Sequence, residues 1–294
     1  LGPFVSRREL LLGAALLLAA PEVRASAPLR IAAIDWAMLE TLCALGLTPV
    51  AATELIQFRS DAVEPALPAD VVDLGLRGSP NFELLHLLRP DLILISPFYV
   101  RHEAALGRIA PLFSLPFYVR GEPPFDKALA AVKALGERLG RSSDRAEALL
   151  KEIAGEIEGF RQTVAPFANR STYIVNIGDA RHVRVFGFDS MFGDMLARLG
   201  LPNAWTDRSR FTFAAPVPIE NLAADPDARI VIVSEVPVEA RGGLRNSIIW
   251  NSLEPVRKGR VIQLANVNPY GGVTAGLRFA RLFVEAMLAG DQRG

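Results

Sequence analysis

Short runs of aliphatic and β-branched residues alternate along the chain with stretches whose apolar positions recur every three or four residues. Residues 29–34 read as a strand followed by a helix over 36–45, and residues 92–96 as a strand followed by a helix over 102–110. The same grammar restarts after residue 170. Strands are expected at 172–177, 183–186, 230–234 and 261–264, and a closing helix at 273–288. Such alternation predicts the α/β class, with helices layered on mainly parallel sheets.

Between the two halves lies the longest helical pattern, over residues 144–165, in which Ala146, Leu149, Leu150, Ile153, Ile157, Phe160 and Val164 share one face. Ser143 is placed to cap it, Asp144 and Glu147 suit the positive end of its dipole, and Pro166 stops it. About 22 residues of helix span roughly 33 Å, the width of a small domain. Gly155 and Gly159 are the positions where it is free to kink.

The halves also resemble each other. Asp35, Glu40, Leu42, Leu45, Gly46 and Leu47 fall on Asp189, Asp194, Leu196, Leu199, Gly200 and Leu201 when the sequence is slid along itself. Later, Glu83-Leu84-Leu85 with the Pro90-Asp91 turn and the 92–96 strand is matched by Glu220-Asn221-Leu222 with Pro226-Asp227 and the 230–234 strand. The pattern therefore predicts two similar α/β lobes joined by one long helix, with a ligand cleft between them. The expected bounds are a leader over 1–27, an N-terminal lobe over 28–142, the joining helix over 143–166 and a C-terminal lobe over 167–294.

Composition narrows the function. The 294 residues contain 32 basic and 32 acidic side chains, which argues against a nucleic-acid partner. Ser6-Arg7-Arg8-Glu9-Leu10-Leu11, an apolar run over 10–20 and the small-x-small triplet Ala25-Ser26-Ala27 have the layout of a twin-arginine export signal. The expectation is a free, monomeric periplasmic protein. Cys43 is the single cysteine and has no internal partner. Dinucleotide-binding, P-loop, serine-hydrolase and zinc-protease motifs are missing, and His86, His102 and His182 are widely separated, so the reading is a binding protein with no cofactor rather than an enzyme.

What recurs instead is an aromatic or cationic side chain just after a strand, where a parallel sheet opens its ligand crevice. Trp36, Arg77, Tyr99 and Tyr270 all stand in that place. Together they describe aromatic walls and one guanidinium, suited to a bulky, oxygen-rich ligand.

These residues resemble a known family. Asp35-Trp36, Leu45-Gly46-Leu47-Thr48-Pro49, Asp73-Leu74-Gly75-Leu76-Arg77, Asp179-Ala180-Arg181-His182, Pro202-Asn203-Ala204-Trp205 and Pro269-Tyr270-Gly271 are similar to segments of the periplasmic binding proteins of ABC importers that have one interlobe helix. Within that class they look most like the iron(III)-hydroxamate, or ferrichrome-type, binding proteins. The resemblance implies capture of a ferric hydroxamate siderophore and delivery to an inner-membrane ABC permease, with the iron held by the siderophore rather than by protein ligands.

It further implies that Arg77 and Tyr99 reach the iron-bound hydroxamate oxygens, and that Trp36, Trp250 and Tyr270 form aromatic walls. For Trp250 an anchoring role in the 248–256 segment is the alternative. Glu83 and Glu220 match the acids that dock each lobe on the permease. Asp61 and Asn268 stand where the family keeps tryptophan, which implies a more polar pocket. Two alternatives stay open at this point: the same fold carrying a catecholate siderophore, haem or a corrinoid, and an exported siderophore-processing enzyme.

Overall fold

The computed structural model describes residues 29–140, 143–206 and 214–291. The expected export leader and the side chain of Ser143 lie outside the described residues. Five short strands, β1 (Ile31–Ala33), β2 (Ala51–Ala52), β3 (Val72–Asp73), β4 (Leu92–Ile95) and β5 (Leu112–Ser114), form a wholly parallel sheet in the order β3-β2-β1-β4-β5. Between and after them run α1 (Trp36–Ala44), α2 (Leu55–Asp61), α3 (Phe82–Leu88), α4 (Val100–Leu106) and α5 (Phe125–Arg138). The chain leaves β1 toward one edge and returns at β4 to the other, so the loops after β1 and β4 diverge and leave a crevice at the carboxyl ends of the strands.

The long helix α6 (Ser143–Val164) follows, starting at the expected residue and ending two short of 166, where a 3₁₀ turn over Ala165–Phe167 takes over. The helix runs unbroken through Gly155 and Gly159, and neither glycine has a packing cause, because a Cβ at either position would meet nothing within 4 Å. The second sheet contains β6 (Thr172–Ile177), β7 (His182–Val185), β8 (Val217–Pro218), β9 (Arg229–Ile232) and β10 (Val261–Gln263) in the order β10-β9-β6-β7-β8. Here β10, β9 and β6 are parallel while β7 and β8 run antiparallel. The four residues between β6 and β7 are too few for a crossover, and the Asp179 carboxylate closes the turn by accepting from the amides of Arg181 at 2.6 Å and His182 at 2.8 Å. Helices α7 (Met191–Arg198), α8 (Val238–Arg245), α9 (Ile248–Ser252), α10 (Glu254–Arg257) and α11 (Val273–Asp291) complete the lobe.

The lobes share more than the long helix. Helix α11 packs on α1, α6 and α7, and α1 packs on α5, so a helical layer lies between the two sheets. One apolar cluster runs through it, from Leu39, Leu42 and Leu135 to Met195, Phe279 and Phe283. Phe192 stacks on Phe279 with ring centres 4.8 Å apart, and Phe186 tilts against Phe192 at the same distance. Burial of this layer fixes the angle between the sheets and hence the shape of the cleft.

The internal repeat is visible in the helix ends. Gly46 and Gly200 have φ of 75° and 76°, and the following leucine amides reach back to Leu42 and Leu196 at 3.2 and 3.1 Å. Both are glycine-terminated caps of the same kind, on α1 and α7. The N-caps differ by one place, Asp35 accepting from the Met38 amide and Ser190 from the Gly193 amide.

Glycine has opposite value at two of these sites. Gly46→Ala should lower the free energy of unfolding by about 1 kcal/mol or more, because an alanine is strained at that φ. Gly155→Ala, on the exposed face of α6, should raise it by up to about 1 kcal/mol through helix propensity. Urea unfolding of both variants checks the pair.

Candidate ligand-binding site

The carboxyl ends of all five strands of the first sheet line a cavity of about 630 Å³. Asp35 and Trp36 enter from β1, Glu54 from β2, Arg77 from β3, Ser96, Phe98 and Tyr99 from β4, and Phe117 and Tyr118 from β5. The opposite wall includes Tyr270, from the loop between β10 and α11. Trp36, Arg77, Tyr99 and Tyr270, predicted separately from their positions after strands, thus meet at one site.

Arg77 is held from two sides. Its Nε donates to Glu54 Oε2 at 2.5 Å and its amide to Oε1 at 3.1 Å, while its guanidinium carbon lies 3.8 Å from the centre of the Trp36 ring. Glu54 is placed for this by a left-handed backbone, φ 51°, and by its amide donating to the Gly75 carbonyl at 2.8 Å. Trp36 is in turn fixed, its Nε1 donating to the Thr53 carbonyl at 3.0 Å and its ring meeting Phe58 edge to face. The guanidinium is therefore both oriented and largely neutralised before any ligand arrives.

Beside it, Asp35 accepts from the Ser96 hydroxyl at 2.8 Å and the Met38 amide at 3.0 Å. Desolvation raises the Asp35 carboxyl above its usual range, against these two donors and the charge of Arg77. Burial also pushes the Tyr99 hydroxyl up, helped by the charge of Asp35 and opposed by that of Arg77, so it remains a hydrogen-bond donor at neutral pH. Tyr118 reaches across the cleft, its hydroxyl donating to the Gly271 carbonyl at 2.7 Å and its ring meeting Tyr270 edge to face at 6.2 Å.

Several expectations take a different place. Trp250 is not brought to the cavity. It is 7% exposed in the core under the second sheet, where Ser247 caps α9, and it lines a separate pocket with Arg241, Arg245 and Gln263. That is the anchoring alternative. Asn268 is also turned away from the cavity, buried with its amide on Glu40. Asp61 lines a neighbouring pocket of about 300 Å³ with Arg184, Glu235 and Asn266. Glu83 and Glu220 are exposed in the first turns of α3 and of a short 3₁₀ helix, Ile219–Ala224. Arg77 is the one cation among the described residues lining the cavity.

Glu54, Ser96, Phe98 and Tyr118 were missed. The same strand-end rule that found Arg77 reaches them, but a two-residue β2 leaves no periodic signal to mark where Glu54 stands.

The family described as periplasmic binding protein matches residues 31–267. The iron(3+)-hydroxamate-binding protein FhuD of Escherichia coli (strain K12) is 30% identical over 290 residues, covering 97% of this chain and 97% of that protein. The achromobactin-binding periplasmic protein of Dickeya dadantii is 29% identical over 251 residues, covering 80% of this chain and 77% of the other. Among solved structures, the Fe3+-Desferal-bound siderophore-binding protein FhuD from Vibrio cholerae shares the fold with a TM-score of 0.83. It is 24% identical, with 90% of this chain and 99% of that chain covered.

Tyr118→Phe removes the donor to the Gly271 carbonyl and should lower the unfolding free energy by about 1 kcal/mol without any ligand present. Equal urea midpoints for the variant and the parent would show that this bridge contributes nothing.

Proposed function

We propose, from the premise that the chain belongs to the periplasmic binding protein family, that its cavity captures a ferric hydroxamate siderophore and presents it to an ABC-type importer of the inner membrane. The observation that carries this reading is the charge in the cavity. One described guanidinium faces it, already paired with Glu54, and the remaining ionisable or hydroxyl groups are the Asp35 carboxyl, the Ser96 hydroxyl and the phenols of Tyr99, Tyr118 and Tyr270. Three hydroxamates, each with one negative charge, neutralise a ferric ion, whereas three catecholates leave a trianion. A trianion calls for converging cations. Arg101, Arg120, Arg181 and Arg184 do not line the cavity, and Arg101 is tied to the Gly78 carbonyl at 2.9 Å.

In the proposed complex Arg77 and Tyr99 donate to the chelating oxygens, which keep partial negative charge on the metal. Trp36, Tyr118, Tyr270 and Phe98 cover the organic backbone of the chelator. The iron is cargo, bound by the siderophore, and no bond is made or broken. The hydroxamate-binding relative from Escherichia coli and the Desferal-bound structure from Vibrio cholerae support the choice of ligand.

Export by the twin-arginine leader places the protein in the periplasm as a monomer in this reading, with residues 28–142 and 167–294 as its lobes. The shared helical layer keeps closure on the ligand small, since opening it would expose the apolar cluster to water. Glu83 and Glu220, one exposed acid on each lobe, dock on the permease.

Titration of tryptophan fluorescence with ferric trihydroxamates should give micromolar affinity or tighter, about −8 kcal/mol or better. Arg77→Ala should weaken it at least tenfold, about 1.4 kcal/mol, and Trp250→Phe should leave it unchanged. Response to a ferric tricatecholate or a corrinoid alone would sink the assignment. The variants Glu83→Ala and Glu220→Ala should bind ligand normally in vitro yet fail to support siderophore uptake in cells. Uptake at the parental rate would remove their docking role.

A further inference from the structure

Glu40 is fully buried in α1, yet its carboxylate faces three donors from the far end of the chain. Asn268 Nδ2 donates to Oε1 at 2.7 Å, and the amides of Gly272 and Ala275, at the start of α11, donate to Oε2 at 2.7 and 3.0 Å. Between these anchors lie Tyr270 and Gly271, the cavity residue and the acceptor of the Tyr118 hydroxyl. The approach is close enough to require glycine. A Cβ at Gly271 would collide with the Glu40 carboxylate, and one at Gly272 would lie 3.1 Å from the Ala37 carbonyl oxygen.

We propose that Glu40 is a positioning residue for the ligand cavity: its ionised carboxylate pins the 268–272 loop, and its protonation loosens Tyr270 and weakens ligand binding in acid. The proposal rests on the cavity being the ligand site. Its basis is the number of acceptors required. Oε2 serves two N–H donors, so a proton there points a hydrogen at a donor. A proton on Oε1 meets the Asn268 NH2 unless that amide flips. The flip removes the Asn268 Oδ1 that now accepts the Tyr270 amide at 3.0 Å. Either way a bond that holds the loop is lost.

The surroundings bring this equilibrium into the range of ordinary media. Burial pushes Glu40 up to about 7, against the three hydrogen bonds, and the negative charge of Asp35 adds to the rise. The titratable groups that act on it or feel its charge are Asp35, the N-cap of α1, Cys43 on α1 and Tyr118 from the loop after β5, with Tyr270 next to Tyr118. Cys43 and Tyr118 are both raised, by burial first and then by the charge of Glu40, so they stay neutral. At the related junction of α5 and α7, Asp194 is paired with Arg198. On α11, Arg278 is held by Glu64 at 2.7 Å.

Stability and affinity should move in opposite directions. Between the usual glutamate range and about 7 the folded chain holds a proton that the unfolded chain releases, so Glu40 contributes stability in acid that is lost as pH rises through about 7. Affinity instead follows the ionised fraction, and should be about tenfold weaker at pH 6 than at pH 8.

The test is a fluorescence titration of the full chain with a ferric trihydroxamate at both pH values. The parent should show the tenfold difference, and Glu40→Gln should bind weakly and equally at both. A parent affinity that does not change, or a variant that keeps the drop, overturns the proposal. A second measurement needs neither variant nor ligand: the 15N–1H resonances of Gly272 and Ala275 should titrate with a midpoint near 7, and shifts that stay constant from pH 6 to pH 8 overturn it too. Failure of the ferric trihydroxamate to bind at either pH overturns the cargo reading alone, and the amide titration then decides the role of Glu40.

Discussion

Two carboxylates buried where the lobes meet hold the rest of the molecule in register. Glu40, on the first helix of the N-terminal lobe, accepts from the amides that open α11 of the C-terminal lobe. Asp194, on α7 of the C-terminal lobe, accepts from the Phe125 amide that opens α5 of the N-terminal lobe, at 2.8 Å. Each lobe thus supplies the anion that satisfies a helix N-terminus of the other. Burying a carboxylate costs several kcal/mol unless donors surround it. Helix N-termini provide both unpaired N–H groups and a favourable dipole, so the arrangement is stable only when the two lobes are in contact at this angle. The apolar layer around Phe192 and Phe279 supplies the area, and the carboxylates supply the direction.

The cavity inherits that geometry. One wall is the set of loops at the ends of β1 to β5, whose divergence follows from the strand order. Tyr270, on the other, rides on the loop that Glu40 pins. Within it, Arg77 is confined between the Trp36 ring and the Glu54 carboxylate. A cation held in that way loses little freedom on binding and presents its remaining N–H groups in a fixed direction, which favours recognition of chelated oxygens over attraction of net charge.

Much of this was legible in the sequence because the relevant signals are local. Strand, helix and turn follow each other with the right periods, so the α/β class, the long helix and the positions of Trp36, Arg77, Tyr99 and Tyr270 could be read from pattern. The internal repeat even paired Glu40 with Asp194. What periodicity does not carry is which distant element a side chain meets. Beyond that pairing nothing in the sequence marks Glu40, because its partners lie more than 200 residues away. The resemblance put Asn268 at a wall position, whereas its side chain is buried on Glu40. Of the two places open to Trp250 the wall role implied by the resemblance gives way to the anchoring one, because a short capped helix directs it under the second sheet, and the antiparallel β6–β7 pair is hidden in a tight turn that resembles the end of another parallel unit.

The central claim is that a preoriented, neutralised guanidinium and a phenol at the strand ends recognise a neutral ferric chelate. A crystal structure of the chain with a ferric trihydroxamate tests it most directly. The account predicts hydroxamate oxygens within hydrogen-bonding distance of Arg77 and Tyr99, with the Arg77–Glu54 pair intact and the ligand backbone against Trp36 and Tyr270. A chelate seated in the pocket beside Asp61 and Arg184, or one that leaves Arg77 without a contact, would contradict it.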